Sequence, residues 1–327
     1  MANLLKKLRG AGEVAAHGEL SIDRAKAREK LQKFRLPDPH LYVLQFVRAA
    51  SLLGAEKIEF EISASEMRCR FSRPLPHGRL ADVWSGAFET RRTQGDRVMH
   101  CLALGIGSAQ ALRPKSIEIR SGSDRLRIVD GEDVYERTEE VCIGTEIHLE
   151  EKWRFGHLVE FLTTLGGLHP EGEALRTYCR MSLMDVIVND ASLLERRGIY
   201  EEAFQRDEAE GFVRLAEPEP GELSKFVFMR DNVQVRTHHA EAHHLPALGA
   251  LNSATLPTDL SGLQLAPDED LDDLLIQDLC GAYHESLRRW AVHSGKREDH
   301  LRIAISLFEH LAKLGRAGMR APKGTRA

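Results

Sequence analysis

Two short stretches carry residue types that could hold a phosphate. The run Leu102-Ala103-Leu104-Gly105-Ile106-Gly107-Ser108-Ala109-Gln110-Ala111-Leu112 sets Gly105, Gly107 and Ser108 at the entry to an apolar helical segment. Glycine lets backbone N–H groups approach an oxyanion closely, and the positive end of a helix dipole favours negative charge there. The strand-like Gly144-Thr145-Glu146-Ile147-His148-Leu149, some forty residues on, is the second signal. A Gly-x-Gly alone is weak, and a second reading stays open: the glycines serve a turn with positive φ or a close packing contact. The run Thr237-His238-His239-Ala240-Glu241-Ala242-His243-His244 would place His239 and His243 on one helical face, the spacing of a two-histidine metal site. No third ligand accompanies them, so a solvated linker is the expectation, with no metal.

These residues need elements to position them. Ser21-Ile22-Asp23 precedes a strongly helix-forming segment, and Pro37-Asp38-Pro39 breaks it and starts a second helix through Leu41, Leu44, Gln45, Val47, Arg48 and Leu52, stopped at Gly54. Ile58–Ile62 and Met67–Phe71 alternate apolar with charged residues, as half-buried strands do. Residues 80–88 read as a short helix and Arg91–Arg97 as a polar loop. Ser116–Arg120 and Leu126–Val129 continue a strand meander that Thr145–Leu149 closes. Further on, helices are expected at Phe155–Leu165, 170–179, Asp268–Tyr283 and His300–Leu314. A strand is expected at Met184–Val188, and a hairpin is expected around Arg230-Asp231-Asn232.

Composition narrows the classes. The chain has 327 residues, 42% hydrophobic and 29% charged, which suits a globular protein of two domains with a short third segment. Forty-five basic residues against 50 acidic give a net charge of −5, which disfavours nucleic acid as the main partner. Five cysteines (Cys69, Cys101, Cys142, Cys179 and Cys280) stand far apart, an odd count without Cys-x-x-Cys spacing, so reduced thiols are expected. Neither a signal peptide nor a membrane span is legible, so a cytoplasmic protein is the expectation.

Taken in order, the helix Leu41–Ala55, the glycine run at 102–112 and the strand 144–149 resemble the motifs of the GHKL ATPases, the group of gyrase, MutL, histidine kinases and heat-shock chaperones. Within it they are most similar to the 90-kDa heat-shock chaperones (HtpG-like). Phe226–Val235, Leu245–Leu248 and Asn252–Ser261 resemble the middle domain of that family. Coverage is roughly residues 20–280. The resemblance implies an α+β fold, with a Bergerat-type (GHKL) α/β sandwich over 1–154, an α/β middle domain over 155–275, and C-terminal helices and a basic tail over 276–327. It also implies nucleotide binding at Gly105, Gly107, Ser108 and Thr145, the last near the adenine.

The residues that would do the chemistry depart from the pattern. The position of the general base is Gln45, an amide that cannot take a proton. The position of the Mg²⁺-binding Asn is Ala49, and the next-turn acid is Leu52. No Asp, Glu or Asn occurs anywhere in 41–53, so no shift of alignment within the helix restores them. The loop that should read the adenine amine is Ser72-Arg73-Pro74-Leu75-Pro76-His77-Gly78, without Asp, and the γ-phosphate arginine of the middle domain falls at Gly262. No catalytic residue and no metal are therefore expected, and ATP or ADP, if held, would be bound without hydrolysis. The leading expectation is a chaperone-like scaffold for protein clients, of open oligomeric state. The alternative is an ATP-dependent chaperone with a divergent site drawing on Glu56, Asp82 or Glu89.

Overall fold

The computed structural model describes residues 36, 38–87, 93–152, 169–194, 200–205, 209–215, 223–241, 247–259, 261–266 and 273–294. The fold is of the α+β class. The Asp38 side chain accepts from the His40 N–H at 2.9 Å and Pro39 opens a short 3-10 turn, which runs into helix α1, Tyr42–Leu52. The chain leaves α1 through Gly54, whose φ of +70° suits glycine. Nearly every α1 side chain is buried, Gln45 and Arg48 included, so α1 is a central helix rather than a surface one.

Strands β1 (Lys57–Ile62) and β2 (Glu66–Phe71) form an antiparallel hairpin. A 3-10 stretch, Arg79–Ala87, precedes helix α2, Gln94–Ala111. The long strands β3 (Ser116–Val129) and β4 (Glu132–Glu150) follow, then helix α3 (Pro170–Cys179) and strands β5 (Asp185–Val188) and β6 (Ala191–Ser192). They make one six-stranded sheet in the order β3-β4-β2-β1-β5-β6, antiparallel except for β1 beside β5. Its inner face (Ile58, Phe60, Met67, Cys69, Ile119, Ile147) packs under the helices. Outward-pointing residues on this sheet pair as ions, among them Arg70 with Glu61 and Glu146, and Glu118 with Arg120 and Arg125. An antiparallel sheet with one polar face needs helices on one side only.

The second sheet orders as β10-β9-β11-β8-β7, built from β7 (Tyr200–Gln205), β8 (Ala209–Leu215), β9 (Leu223–Arg230), β10 (Val233–Glu241) and β11 (Ala247–Ser253). β9 and β11 are parallel, with β10 between them in sequence. Leu279, Ala282, Leu287 and Trp290 of helix α4, Asp273–Ser294, pack on one face.

Three expectations need correction. The boundary after 154 cuts the first sheet, because β5 pairs with β1 and brings residues up to 192 into it. The polar loop at 91–97 ends at Thr93. There the Thr93 hydroxyl caps the Asp96 N–H and the Asp96 carboxylate caps the Thr93 N–H, and α2 begins. His238 and His239 lie on strand β10, where neighbours point to opposite faces, so no helical pair with 243 exists. The helices expected at 21–31, Phe155–Leu165 and His300–Leu314 lie outside the described residues, as does the basic tail.

Candidate functional site

The buried face of α1 is where the two sheets meet. β9 and β10 join through Asp231 and Asn232, both with positive φ (53° and 66°), a tight turn of the kind Asp and Asn tolerate. That turn reaches α1. Arg48 donates from Nη2 to Asp231 Oδ2 at 2.9 Å, and Arg97, in the first turn of α2, donates to Asp231 Oδ1 at 2.7 Å. Asn232 Nδ2 donates to Ser51 Oγ at 2.9 Å, while its Oδ1 accepts from the Leu183 N–H at 2.7 Å.

A second turn closes the same face from above. Asp259 accepts from the Ser261 hydroxyl and the Gly262 N–H, and this holds the Ser261 carbonyl over α1. Gln45 Nε2 donates to that carbonyl at 2.7 Å and Arg48 Nη1 donates to it at 2.8 Å. Arg48 Nη1 also donates to Gln45 Oε1 at 3.3 Å. Gly262, at φ +70°, lies flat against the guanidinium, and a Cβ there would fall on Arg48. The cation comes from α1 rather than from position 262, and its carboxylate comes from the hairpin turn. Gln45 is fully buried and all of its polar atoms are engaged. Ala49 and Leu52 are buried apolar residues of the same helix.

Gly105, Gly107 and Ser108 do not stand at a helix N-terminus. They lie buried in the interior of α2, about three to four turns past its cap, where their N–H groups belong to the helix ladder. The expected phosphate cradle is corrected accordingly: the capping box at Thr93 starts the helix too early for the glycines to meet an anion. Gly105 lets α1 and α2 touch, since a Cβ on it would come 2.7 Å from the Phe46 ring and 3.2 Å from Gln45 Cβ. Nothing crowds Gly107 in this way.

Thr145 is buried as well. Its hydroxyl donates to the Arg73 carbonyl at 2.9 Å and meets the Ser121 hydroxyl at 2.9 Å. Ser121 accepts from the Leu75 N–H, and Asp124 accepts from the Gly78 N–H at 2.9 Å and the Tyr135 hydroxyl at 2.7 Å. Burial alone would raise the Asp124 pKa, but these hydrogen bonds, with His77 and Arg137 nearby, hold it below the usual value. The loop Ser72–Gly78 thus spends its own backbone groups on Thr145, Ser121 and Asp124.

Of the further candidates, Glu56 is exposed and its carbonyl accepts from the Asp185 N–H. Asp82 is exposed in the 3-10 stretch. Glu89, Arg91 and Arg92 lie outside the described residues. None of the described candidates joins the α1 site. Sequence reasoning missed Arg48, Asp231, Asn232, Ser261 and Asp124. An arginine in the middle of a largely apolar helix, and an Asp-Asn pair in a hairpin turn, were the available signals. A cavity of about 480 Å³ opens away from α1, lined by Gln110, Arg113, Ile117, Ile128, Asp130 and Lys152. Lys152 already bonds Asp130 there at 2.7 Å. Among the described residues no group of acidic, His and Cys side chains could hold a metal, and no helix is long and apolar enough to cross a membrane.

No protein-family model matches this chain, and no curated protein matches it. A solved structure of the B-subunit of the DNA gyrase from Myxococcus xanthus is similar over 80% of this chain and 96% of that one, at 13% sequence identity and a TM-score of 0.48.

Proposed function

We propose that the chain is a GHKL-type scaffold whose nucleotide site is closed by its own side chains and backbone, and that it works as a chaperone-like, non-hydrolysing protein-interaction module. One observation carries this reading. The α1 position that would need a base carries Gln45 and the metal position carries the apolar Ala49, while Gln45 and Arg48 are both buried and both bonded to the Ser261 carbonyl. Neither an amide nor a guanidinium can take a proton from water. The guanidinium has no lone pair to offer Mg²⁺, and the one Gln45 amide oxygen already accepts from Arg48 Nη1. The interior position of Gly105, packed on Phe46, supports the same reading. So does the engagement of the Thr145 hydroxyl with the Arg73 carbonyl and Ser121, because the group expected near the adenine already has internal partners.

Calorimetric titration of the full chain with ATP and with ADP, with and without Mg²⁺, tests this. No saturable heat and no phosphate release above buffer are expected. Restoring the carboxylate with Gln45→Glu should create no ATPase. It should instead lower stability by about 1–3 kcal/mol, because the Ser261 carbonyl loses one of its two donors and faces a buried anion. Stoichiometric, Mg²⁺-dependent binding with turnover would instead establish an ATP-dependent chaperone with a divergent site.

A further inference from the structure

The hairpin of β3 and β4 extends beyond the sheet. β4 pairs with β2 only over Thr145–Glu150, so among the described residues its stretch 132–143 has β3 on one side and no strand on the other. The register explains the departure. Ser121 faces Thr145, Gly122 faces Cys142 and Asp124 faces Arg137, so β4 spends extra residues in two bulges and swings out. Among the described residues, every large hydrophobic side chain that is exposed lies on this hairpin: Val129 at 36%, Val134 at 60%, Val141 at 68% and Ile143 at 94%. Exposed apolar residues scattered singly are ordinary, but their confinement to one projecting element is not. The charge is one-sided too. Residues 122–143 hold seven carboxylates against Arg125, Arg127 and Arg137. Asp124 is buried and Asp130 is paired with Lys152, which leaves Glu132, Asp133, Glu136, Glu139 and Glu140, all exposed on β4. Arg125 is already engaged by Glu118 and Glu136.

We infer that the outer edge of β4 over 132–143 is a docking strand for an extended segment of a partner protein in which Lys or Arg alternates with apolar residues. The open main chain supplies ladder hydrogen bonds, Val134, Val141 and Ile143 supply apolar contact, and the carboxylates supply the charge match. Native proteins blunt open edges with lysines; this one carries carboxylates instead, which selects a cationic strand. Pairing of the edge with a second copy of itself would set acid against acid, which is unfavourable across a strand pair. The inference rests on the protein-interaction reading and names the surface and partner chemistry for it.

The probe is a fluorescein-labelled dodecapeptide alternating Lys and Val, titrated against the full chain by anisotropy. Saturable binding is expected. It should weaken at least tenfold in Val141→Glu/Ile143→Glu and in Glu139→Lys/Glu140→Lys, all exposed positions whose variants should keep the wild-type melting curve. It should also vanish when alternate peptide amides are N-methylated, because the ladder needs them. Equal binding of a Glu/Val peptide, or unchanged binding in both variants, overturns the inference. So does self-association of the wild type that the variants abolish, which would make the occupant a second copy. A nucleotide that binds in calorimetry would sink the closed-site reading alone and leave the peptide result standing.

Discussion

At the scale of single residues, the molecule converts groups that could serve a ligand into internal partners. Asp231 gives one carboxylate oxygen to Arg48 and the other to Arg97. Outside this site His40 shows the same habit: its Nδ1 sits 2.8 Å from Glu171 Oε1, joining the turn before α1 to α3. The hydrogen bond that His40 donates to the Glu171 carboxylate raises its pKa above the ordinary 6.5, against the lowering effect of burial. A raised histidine contributes stability that is complete below about pH 6.5 and is lost as pH rises through the folded-state pKa. The urea midpoint of the wild type should therefore exceed that of His40→Gln more at pH 5.5 than at pH 8.5. A constant difference would mean that folding leaves the His40 proton affinity unchanged and that the Glu171 contact does not raise it.

At the scale of elements, α1 and α2 act as a pair whose closeness depends on Gly105. Gly105→Ala adds only a methyl group, yet that carbon would meet the Phe46 ring at 2.7 Å. Alanine favours a helix interior by about 1 kcal/mol over glycine, but overpacking a tight contact costs about 1–3 kcal/mol, so net destabilisation is expected. Gly107→Ala meets nothing within 4 Å and should stabilise. Thermal melts of the two variants side by side check the difference in sign. The same two glycines show where the sequence was legible and where it was not. Strands β1 and β2, helix α1 and the Asp231-Asn232 turn were visible because alternation, Pro39 and turn chemistry are local signals. The placement of Gly105 was not, because two glycines argue against a helix interior unless a neighbouring ring requires the gap. Phe46 lies almost sixty residues away in sequence. The Thr93-x-x-Asp96 capping box was a local signal that outweighs the glycines. The β3–β4 bulges left no sequence trace, since Thr138–Ile143 neither alternates nor carries a turn pair.

At the scale of the whole molecule, two sheets are joined across α1 by buried polar contacts rather than by an apolar seam alone. Val233 and Leu263 belong to the first core, while Arg48, Asp231 and Ser261 carry the charge and hydrogen bonds between the units. Asp231→Ala leaves two guanidinium groups facing an empty position, one of them buried, which should cost about 3–5 kcal/mol. Denaturation followed by tryptophan fluorescence and by far-UV circular dichroism should coincide for the wild type and separate for the variant, as the two sheets come apart in turn. Coincident transitions in the variant would mean that the apolar contacts suffice. The length of chain between these partners also has a consequence in time. Gln45 and the Ser261 carbonyl that it binds are 216 residues apart, and Arg48 and Asp231 are 183 apart. At a synthesis rate of about 5–20 residues per second, α1 waits roughly 10 to 40 s on the ribosome before its capping turn emerges. Throughout that interval a helix built for the interior, with a cation at its centre, lacks its counter-ion. The nascent chain thus passes through a stage that itself calls for a holdase, and ribosome-bound chains halted before residue 231 should be the protease-sensitive ones.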